Sequence, residues 1–254
     1  MPPGAFKAVV LDLFDTIVKW DPERLPLLEW NGATHRSTMP WVFPLLGELF
    51  EGQFDRDRFI EVYFAVVNEI NQERERERIE ITCHERFART LDRLGWAQSS
   101  RRDELAELLT RTHMAGVRRV TTAPPERITA VRTLAAHYRL GLLSNFDDER
   151  TGHEVVADTG LADLFETVVI SAAVRLRKPD RRIFEHVLVR MGLQPLDVLF
   201  VGDTPRDDIW GATQAGMRTA WISRGAARVP DGMPIPDFVV PDLAALPARL
   251  SLAS

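Results

Sequence analysis

The stretch VVLDLFDTIV, residues 9–18, joins an apolar run to an acidic residue. Its first residues are continuously apolar instead of alternating with polar ones, a pattern typical of a strand buried on both faces of a parallel sheet. The run stops at Asp12, and Phe14 stands two positions later. Functional side chains of open parallel sheets lie at the carboxyl ends of their strands. Asp12 is therefore a candidate functional residue.

Similar apolar runs recur along the rest of the chain and predict the remaining strands. Helical patterns alternate with them, and two of these begin near a proline, as helices often do. Strand and helix alternating in this way predict an α/β fold, a doubly wound parallel sheet with helices on both faces. The predicted strands are 6–13, 138–144, 167–171, 197–202, 218–223 and a short 237–240, and the helices are 124–137, 179–192 and 206–217.

The segment between the first and second strands interrupts this alternation. Residues 18–119 carry no strong strand signal and read as several helices. We therefore predict two domains: an α/β core made of 1–18 and 120–254, and an inserted helical domain, 19–119, over the carboxyl edge of the sheet.

Composition limits the classes of partner. The chain has 254 residues, 45% of them apolar, and a net charge of -5, which disfavours nucleic acid or an anionic membrane as partner. Its apolar runs are too short to span a bilayer, and the N-terminus lacks the apolar stretch of a signal peptide. The single cysteine, Cys83, excludes an internal disulfide. We expect a cytoplasmic protein with a small-molecule substrate, while its oligomeric state stays open.

Four short motifs follow four successive predicted strands of the core. Each is weak evidence alone, since an acid at a strand end often serves only to form a turn. Together, at one edge of a parallel sheet, they predict a single site. The motif residues are Asp12 and Thr16, then Ser144 and Asn145, then Lys178, and finally Asp203, Asp207 and Asp208.

These motifs resemble those of the haloacid dehalogenase superfamily, most of whose members are phosphatases. The resemblance is carried by VVLDLFDTIV, GLLSNFD, RLRKPDRRIFEHVL and LFVGDTPRDDIWGATQAGM. It covers the predicted core, and the helical insert stands where that family has its helical cap. The resemblance implies that the cap selects the substrate and closes over the site.

The resemblance also implies a role for each motif residue. Asp12 is the nucleophile that forms an aspartyl-enzyme intermediate, and Lys178 supplies a fixed positive charge. Hydrogen bonds to phosphoryl oxygens come from Thr16, Ser144 and Asn145. Mg²⁺ relieves the repulsion between carboxylate and phosphate. Its expected ligands or close neighbours are Asp12, the backbone carbonyl of Phe14, Asp203 and Asp208, the last of which orients metal-bound water or the lysine.

Phe14 is the departure from the family pattern. Family phosphatases have an aspartate there, which protonates the leaving oxygen and then activates water, a contribution of about 10² to 10⁴ in rate. Losing it harms alkyl phosphates most, because an alkoxide leaves poorly. Asp15 is a turn or capping acid or a replacement for the missing acid, and Asp207 is interpreted as a helix-start acid.

Three functions remain open at this point. The acidic cluster favours a magnesium-dependent phosphatase of a small phosphorylated metabolite. Phe14 together with Ser144 and Asn145 favours a metal-independent 2-haloacid dehalogenase, because halide leaves without a proton. A weakly catalytic, phosphate-binding regulatory protein would use the same pocket without turnover.

Overall fold

The computed structural model describes residues 6–52, 54–96, 99–226 and 228–252. The chain divides into two compact units, Met1–Trp20 with Thr122–Ser254, called the core unit, and Asp21–Thr121, called the insert unit. The chain passes between the units after Trp20 and after Thr121, in each case two residues beyond the predicted domain boundary. None of the helices in the described ranges is both long and apolar enough to cross a membrane.

The core unit contains a six-stranded sheet in the order β10-β9-β8-β1-β6-β7, with every pair parallel. This confirms the predicted fold class. From β1 the chain proceeds to β6 and β7 on one side and then returns to β8 on the other. The sheet strands are β1 (Ala8–Leu11), β6 (Arg139–Ser144), β7 (Phe165–Ile170), β8 (Val198–Gly202), β9 (Arg218–Ile222) and β10 (Phe238–Val240). The order therefore reverses at β1, and a ligand crevice is expected beyond the carboxyl end of this strand.

Two layers of helices cover the sheet, because successive strand residues point to opposite faces. Val9 and Leu11 belong to one apolar cluster, with α5 and α6, whereas Ala8 and Val10 belong to another, with α8. The core helices are α5 (Pro125–Ala135), α6 (Glu149–Asp158), α7 (Ser171–Val174), α8 (Arg181–Met191), a π-helix (Pro205–Trp210), α9 (Gly211–Gln214) and α10 (Leu246–Arg249). The predicted helix 206–217 is thus a π-helical turn followed by one short α-helix.

The insert unit is mostly helical, as expected, but it also contains a β-hairpin. Its helices are α1 (Met39–Leu49), α2 (Arg56–Glu77), α3 (Cys83–Leu94) and α4 (Ser99–Arg119). Short strands β2 (Lys19–Trp20) and β5 (Thr121–Thr122) lie where the chain leaves and re-enters the core unit. The hairpin pairs β3 (Leu27–Trp30) with β4 (Ala33–Arg36) in antiparallel register. The interpretation of this segment as helices alone was therefore wrong.

The hairpin has a recognisable local cause. Asn31 and Gly32 join its strands and have φ angles of 49° and 71°. Two left-handed residues in succession form the turn that suits the twist of a two-residue hairpin, and Asn-Gly is its commonest sequence. The signal was present in the sequence, but all four residues of β4 are exposed, so no apolar pattern accompanied it.

Candidate active site

The register of the sheet brings the first and fourth motifs together. Leu11, the last residue of β1, pairs with Val201 of β8. The next amide, that of Asp12, donates a hydrogen bond to the Val201 carbonyl at 2.9 Å. Asp12 and Asp203 consequently emerge side by side at the carboxyl edge of the sheet.

Lys178 lies at the centre of the carboxylates. Its Nζ is 2.6 Å from an oxygen of Asp12 and 2.7 Å from an oxygen of Asp208, and it also donates to the Leu143 carbonyl at 3.0 Å. The lysine side chain is 2% exposed, so these partners replace its water. Burial alone would lower the pKa of Lys178, but the charges of Asp12 and Asp208 raise it above the usual range. Lys178 is therefore held as a cation at pH 7.

Three carboxylates crowd together around this lysine. One ligand atom from each of Asp12, Asp203 and Asp208 lies within 4.8 Å of the others. Burial raises the pKa of Asp12 to about 7, helped by the charges of Asp208 and Asp203 and opposed by Lys178. Burial and the charge of Asp208 likewise raise the pKa of Asp203 to about 6. Lys178 carries one positive charge among three carboxylates, so further positive charge at this site is favoured.

The loop after β8 is shaped to bring Asp208 inward. Thr204 donates its amide to Asp208 at 2.9 Å. A Cβ atom on Gly202 would lie 2.4 Å from the carboxyl carbon of Asp208, so only glycine leaves room for this approach. Because Asp208 contacts both Lys178 and the loop backbone, the geometry supports orientation of the lysine, one of its two expected roles.

Asn145 connects the second and third motifs. Its side-chain oxygen accepts the Lys178 amide at 2.7 Å, while its Nδ2 donates to the Lys178 carbonyl at 2.9 Å and to Asp207 at 3.3 Å. Both amide hydrogens are thereby used within the protein. Asn145 therefore fixes the loop that carries Lys178, and its expected part in donating to phosphoryl oxygens stays a prediction. Asp207 serves as its partner and not merely as a helix-start acid.

Two hydroxyl groups at the same edge remain without a hydrogen-bond partner among the described residues. They belong to Thr16, which is 0% exposed, and Ser144, which is 1% exposed. A buried hydroxyl without a hydrogen-bond partner destabilises the folded state by about 1 to 3 kcal/mol. An oxyanion bound beside Asp12 would give these donors acceptors.

Phe14 and Asp15 differ in what surrounds them. The Phe14 ring lies 4.8 Å from that of Phe146, at 35°, and both are partly buried against the core. Asp15 has a φ of 59°; one of its carboxylate oxygens accepts the Trp20 amide at 3.3 Å, and the other is 3.3 Å from Arg224. Asp15 is thus held both by the backbone of its own loop and by Arg224 in the loop after β9.

Sequence reasoning missed Arg224, Phe146 and Trp221 at this site. Arg224 ion-pairs with Asp203 at 2.8 Å, and Trp221 donates its indole N–H to the Asp203 carbonyl at 2.9 Å. Arg224 comes just after the predicted strand 218–223, so the rule that placed the four motifs would also have selected it.

The chain is similar to several known proteins. The model of the haloacid dehalogenase-like hydrolase family matches residues 6–216. A phosphoserine phosphatase of Thermus thermophilus is 34% identical over 157 residues, 62% of this chain and 60% of that protein. An N-acylneuraminate-9-phosphatase of Mus musculus is 36% identical over 119 residues, 46% of this chain and 47% of that protein. The chain thus spans about half to three fifths of the length of these curated relatives.

A solved structure extends the similarity to the whole chain. The 2-haloacid dehalogenase from Pseudomonas syringae pv. Tomato DC3000 has a TM-score of 0.71 and 25% sequence identity, covering 97% of this chain and 98% of that chain. Because the family model runs from the first strand to beyond the last acidic loop, the resemblance read from the motifs is confirmed: the chain belongs to the haloacid dehalogenase-like hydrolase family.

Proposed function

We propose that this hydrolase is a magnesium-dependent phosphatase of a small phosphorylated metabolite, acting through an intermediate on Asp12. The observation that carries the proposal is the cluster of Asp12, Asp203 and Asp208 with ligand atoms within 4.8 Å. Carboxylate oxygens are the ligands that Mg²⁺ prefers, usually one or two of them together with a substrate phosphate. The relatives of similar sequence, named as phosphatases, support the same reading.

The residues present fit such an ion. Asp12 and Asp203 would hold it with the backbone carbonyl of Phe14, which is available whatever the side chain, and Asp208 stands behind them. When bound, the ion withdraws charge from the phosphoryl oxygens and offsets the repulsion between the carboxylates. The buried hydroxyls of Thr16 and Ser144 fit the oxygens of a phosphoryl group.

The chain's own residues would then perform a two-step transfer. The Asp12 carboxylate attacks phosphorus, the bond to the leaving oxygen breaks, and an aspartyl phosphate forms. Lys178 keeps its charge beside Asp12 and stabilises the charge that develops on the transferred group. Water then attacks phosphorus, which releases phosphate and restores Asp12. Phe14 can neither donate nor accept the protons of these steps, so we expect the best substrates to have acidic leaving groups, such as phenols or carboxylic acids.

A second candidate, a 2-haloacid dehalogenase, is favoured by a specific observation. Phe14 packs on Phe146 where family phosphatases have an acid, and the dehalogenase from Pseudomonas syringae is similar over the whole chain. In that reaction Asp12 would displace halide from carbon, and no proton donor would be needed. The acidic cluster around Asp203 has no evident use there, which is why we place this function second.

One assay distinguishes the two functions. Turnover of p-nitrophenyl phosphate and of chloroacetate is measured for the full chain, each with Mg²⁺ and with EDTA. We expect phosphate release that depends on Mg²⁺ and disappears in Asp12→Asn, with circular dichroism showing that the variant folds. Chloride release that continues in EDTA would replace the proposal with the dehalogenase. Failure of both substrates, with Mg²⁺ and phosphate still bound, would indicate a binding protein.

A further inference from the structure

Arg224 places a second cation among the carboxylates. One terminal guanidinium nitrogen is 2.8 Å from a carboxylate oxygen of Asp203, and the other terminal nitrogen is 3.3 Å from a carboxylate oxygen of Asp15. The Arg224 side chain is 53% exposed, whereas that of Asp203 is 7% exposed. An arginine that reaches in from solvent is therefore paired with a largely buried carboxylate at the candidate metal site.

The backbone on both sides fixes this arrangement. Arg224 and Gly225 have φ angles of 48° and 89°, and the Ala226 amide closes the turn by donating to the Ser223 carbonyl at 2.9 Å. A left-handed conformation is unfavourable for arginine and persists where the surrounding structure imposes it. Ser223 in turn donates its amide to Val240 of β10 at 2.8 Å. The turn thus holds Arg224 where its guanidinium reaches Asp203.

Lys178 and Arg224 form ion pairs with different carboxylates of the site. Lys178 pairs with Asp12 and Asp208, while Arg224 pairs with Asp203 and Asp15. Lys178 is buried and is held by Asp12, Asp208 and the Leu143 carbonyl. Arg224 can move into solvent and keep its contact with Asp15, so the Arg224–Asp203 pair is the replaceable one.

We propose that Arg224 competes with the divalent cation for Asp203 and thereby sets the metal affinity of the site. The proposal rests on the magnesium site of the proposed function. Binding of the ion breaks the Arg224–Asp203 pair, and the guanidinium turns outward while Asp15 remains its partner. Removing the charge of Arg224 should strengthen metal binding, because the ion then no longer competes with Arg224 for Asp203.

The test is the Mg²⁺ dissociation constant of the full chain, measured by calorimetry, with Mn²⁺ binding followed by electron paramagnetic resonance. Arg224→Gln removes the charge and keeps the ability to donate hydrogen bonds. We expect it to bind Mg²⁺ about tenfold more tightly than the unaltered chain, because a hydrogen bond between charged groups no longer opposes the ion. Arg224→Lys keeps the charge and should stay near the original affinity. Arg228→Gln is the matched control, since Arg228 is highly exposed and pairs only loosely with Asp231, at 3.5 Å.

The outcomes separate this inference from the function on which it rests. Equal or weaker Mg²⁺ binding by Arg224→Gln, with the unaltered chain binding normally, overturns the role of Arg224 and leaves the metal site standing. If Arg224→Gln binds Mg²⁺ and the unaltered chain does not, Arg224 competes strongly enough to exclude the ion, which supports the proposal. Absence of millimolar binding by both proteins overturns the magnesium site and the role of Arg224 together.

Discussion

At the scale of single residues, we expect Phe14 to determine which leaving groups the site can handle. Its backbone carbonyl is still available to a metal ion, but its ring packs 4.8 Å from Phe146 and offers no proton. The described core residues bring no evident substitute to this position, because Asp15 is held by Trp20 and Arg224, and Asp207 by Asn145. The acid-base function of the family is therefore the part of the chemistry that this chain is expected to lack.

Phe14→Asp tests this expectation directly. We expect the value of kcat/KM for an alkyl phosphate to rise by about 10²-fold, near the lower limit of what general acid catalysis supplies. The gain should be smaller for p-nitrophenyl phosphate, whose leaving group needs less assistance. The measurement is kcat/KM for the two ester types in the presence of Mg²⁺.

Phe14→Asn is the matched control, because it shares the size and the lost aromatic contact but carries no acid. If the Asp and Asn variants gain equally, or neither gains, the ring at position 14 belongs to a pocket built for other chemistry. Loss of chloroacetate turnover in both variants would point to the dehalogenase.

At the scale of elements, an ion pair ties helix α5 to the loop before α10. Arg127 donates from Nε and one terminal nitrogen to the same oxygen of Asp242, at 3.0 and 2.7 Å, and from the other nitrogen to the Asp15 carbonyl at 3.2 Å. The other Asp242 oxygen accepts the Ala244 amide at 3.0 Å. This pair thus also supports the loop that follows Asp12.

Asp242→Asn should destabilise the chain in a pH-dependent manner. Burial opposes ionisation, but the hydrogen bonds from Arg127 and Ala244 lower the pKa of Asp242 below its usual value. A lowered pKa in the folded state stabilises above the unfolded pKa of about 4, and this stabilisation is lost as the pH falls through the folded pKa. We expect a loss of about 1 kcal/mol at pH 7, since Asp242 is partly exposed to solvent. The gap to the unaltered chain should narrow below about pH 4.

Urea unfolding at neutral and at acidic pH measures how much free energy of unfolding Asp242→Asn loses at each pH. Asn can still cap the Ala244 amide with its oxygen, but its NH₂ group then faces the Arg127 donors and cannot accept from them, so the variant keeps the cap and removes the ion pair with its hydrogen bonds. Asp231→Asn removes a highly exposed partner of Arg228 and should change the free energy of unfolding by less than about 0.5 kcal/mol. An equal loss for Asp242→Asn at both pH values would mean that packing, and not the ion pair, was disturbed.

The elements also show what the sequence could predict and why. Strands such as 138–144 and 197–202 were predicted within a residue or two, because burial on both faces leaves an uninterrupted apolar run. The hairpin β3–β4 was missed because its second strand is wholly exposed and only Asn31-Gly32 marked it. The π-helical turn Pro205–Trp210 was not predicted; it carries Asp208, whose carboxylate contacts Lys178 at 2.7 Å, a tertiary contact that no local pattern records.

At the scale of the whole molecule, the site joins residues that lie far apart in the chain. Lys178 and Asp12 are separated by 166 positions, yet their charged atoms are 2.6 Å apart. The sequence could predict this meeting, because parallel strands bring their carboxyl ends to one edge. It could not predict how the amide of Asn145 is used or that Arg224 reaches Asp203, because both depend on loop conformations that only the folded chain defines.

The same convergence predicts that metal binding stabilises the molecule as a whole. The folded chain holds Asp12, Asp203 and Asp208 close together, whereas the unfolded chain separates them, so Mg²⁺ should bind the folded state preferentially. At a concentration 100-fold above its dissociation constant, such a ligand adds about 2.7 kcal/mol to the free energy of unfolding. For a chain of this size we expect Tm to rise by roughly 5 to 10 °C.

Differential scanning calorimetry with Mg²⁺ and with EDTA measures this shift. Asp203→Asn should lose most of it, because the variant removes one of the expected carboxylate ligands, whereas Asp231→Asn should keep it. If the unaltered chain shows no shift in Tm with millimolar Mg²⁺, it does not bind the ion, and Lys178 and Arg224 already compensate the carboxylates sufficiently. The acidic cluster would in that case be a structural network of ion pairs, and the dehalogenase, which needs no metal, would become the better account of the site.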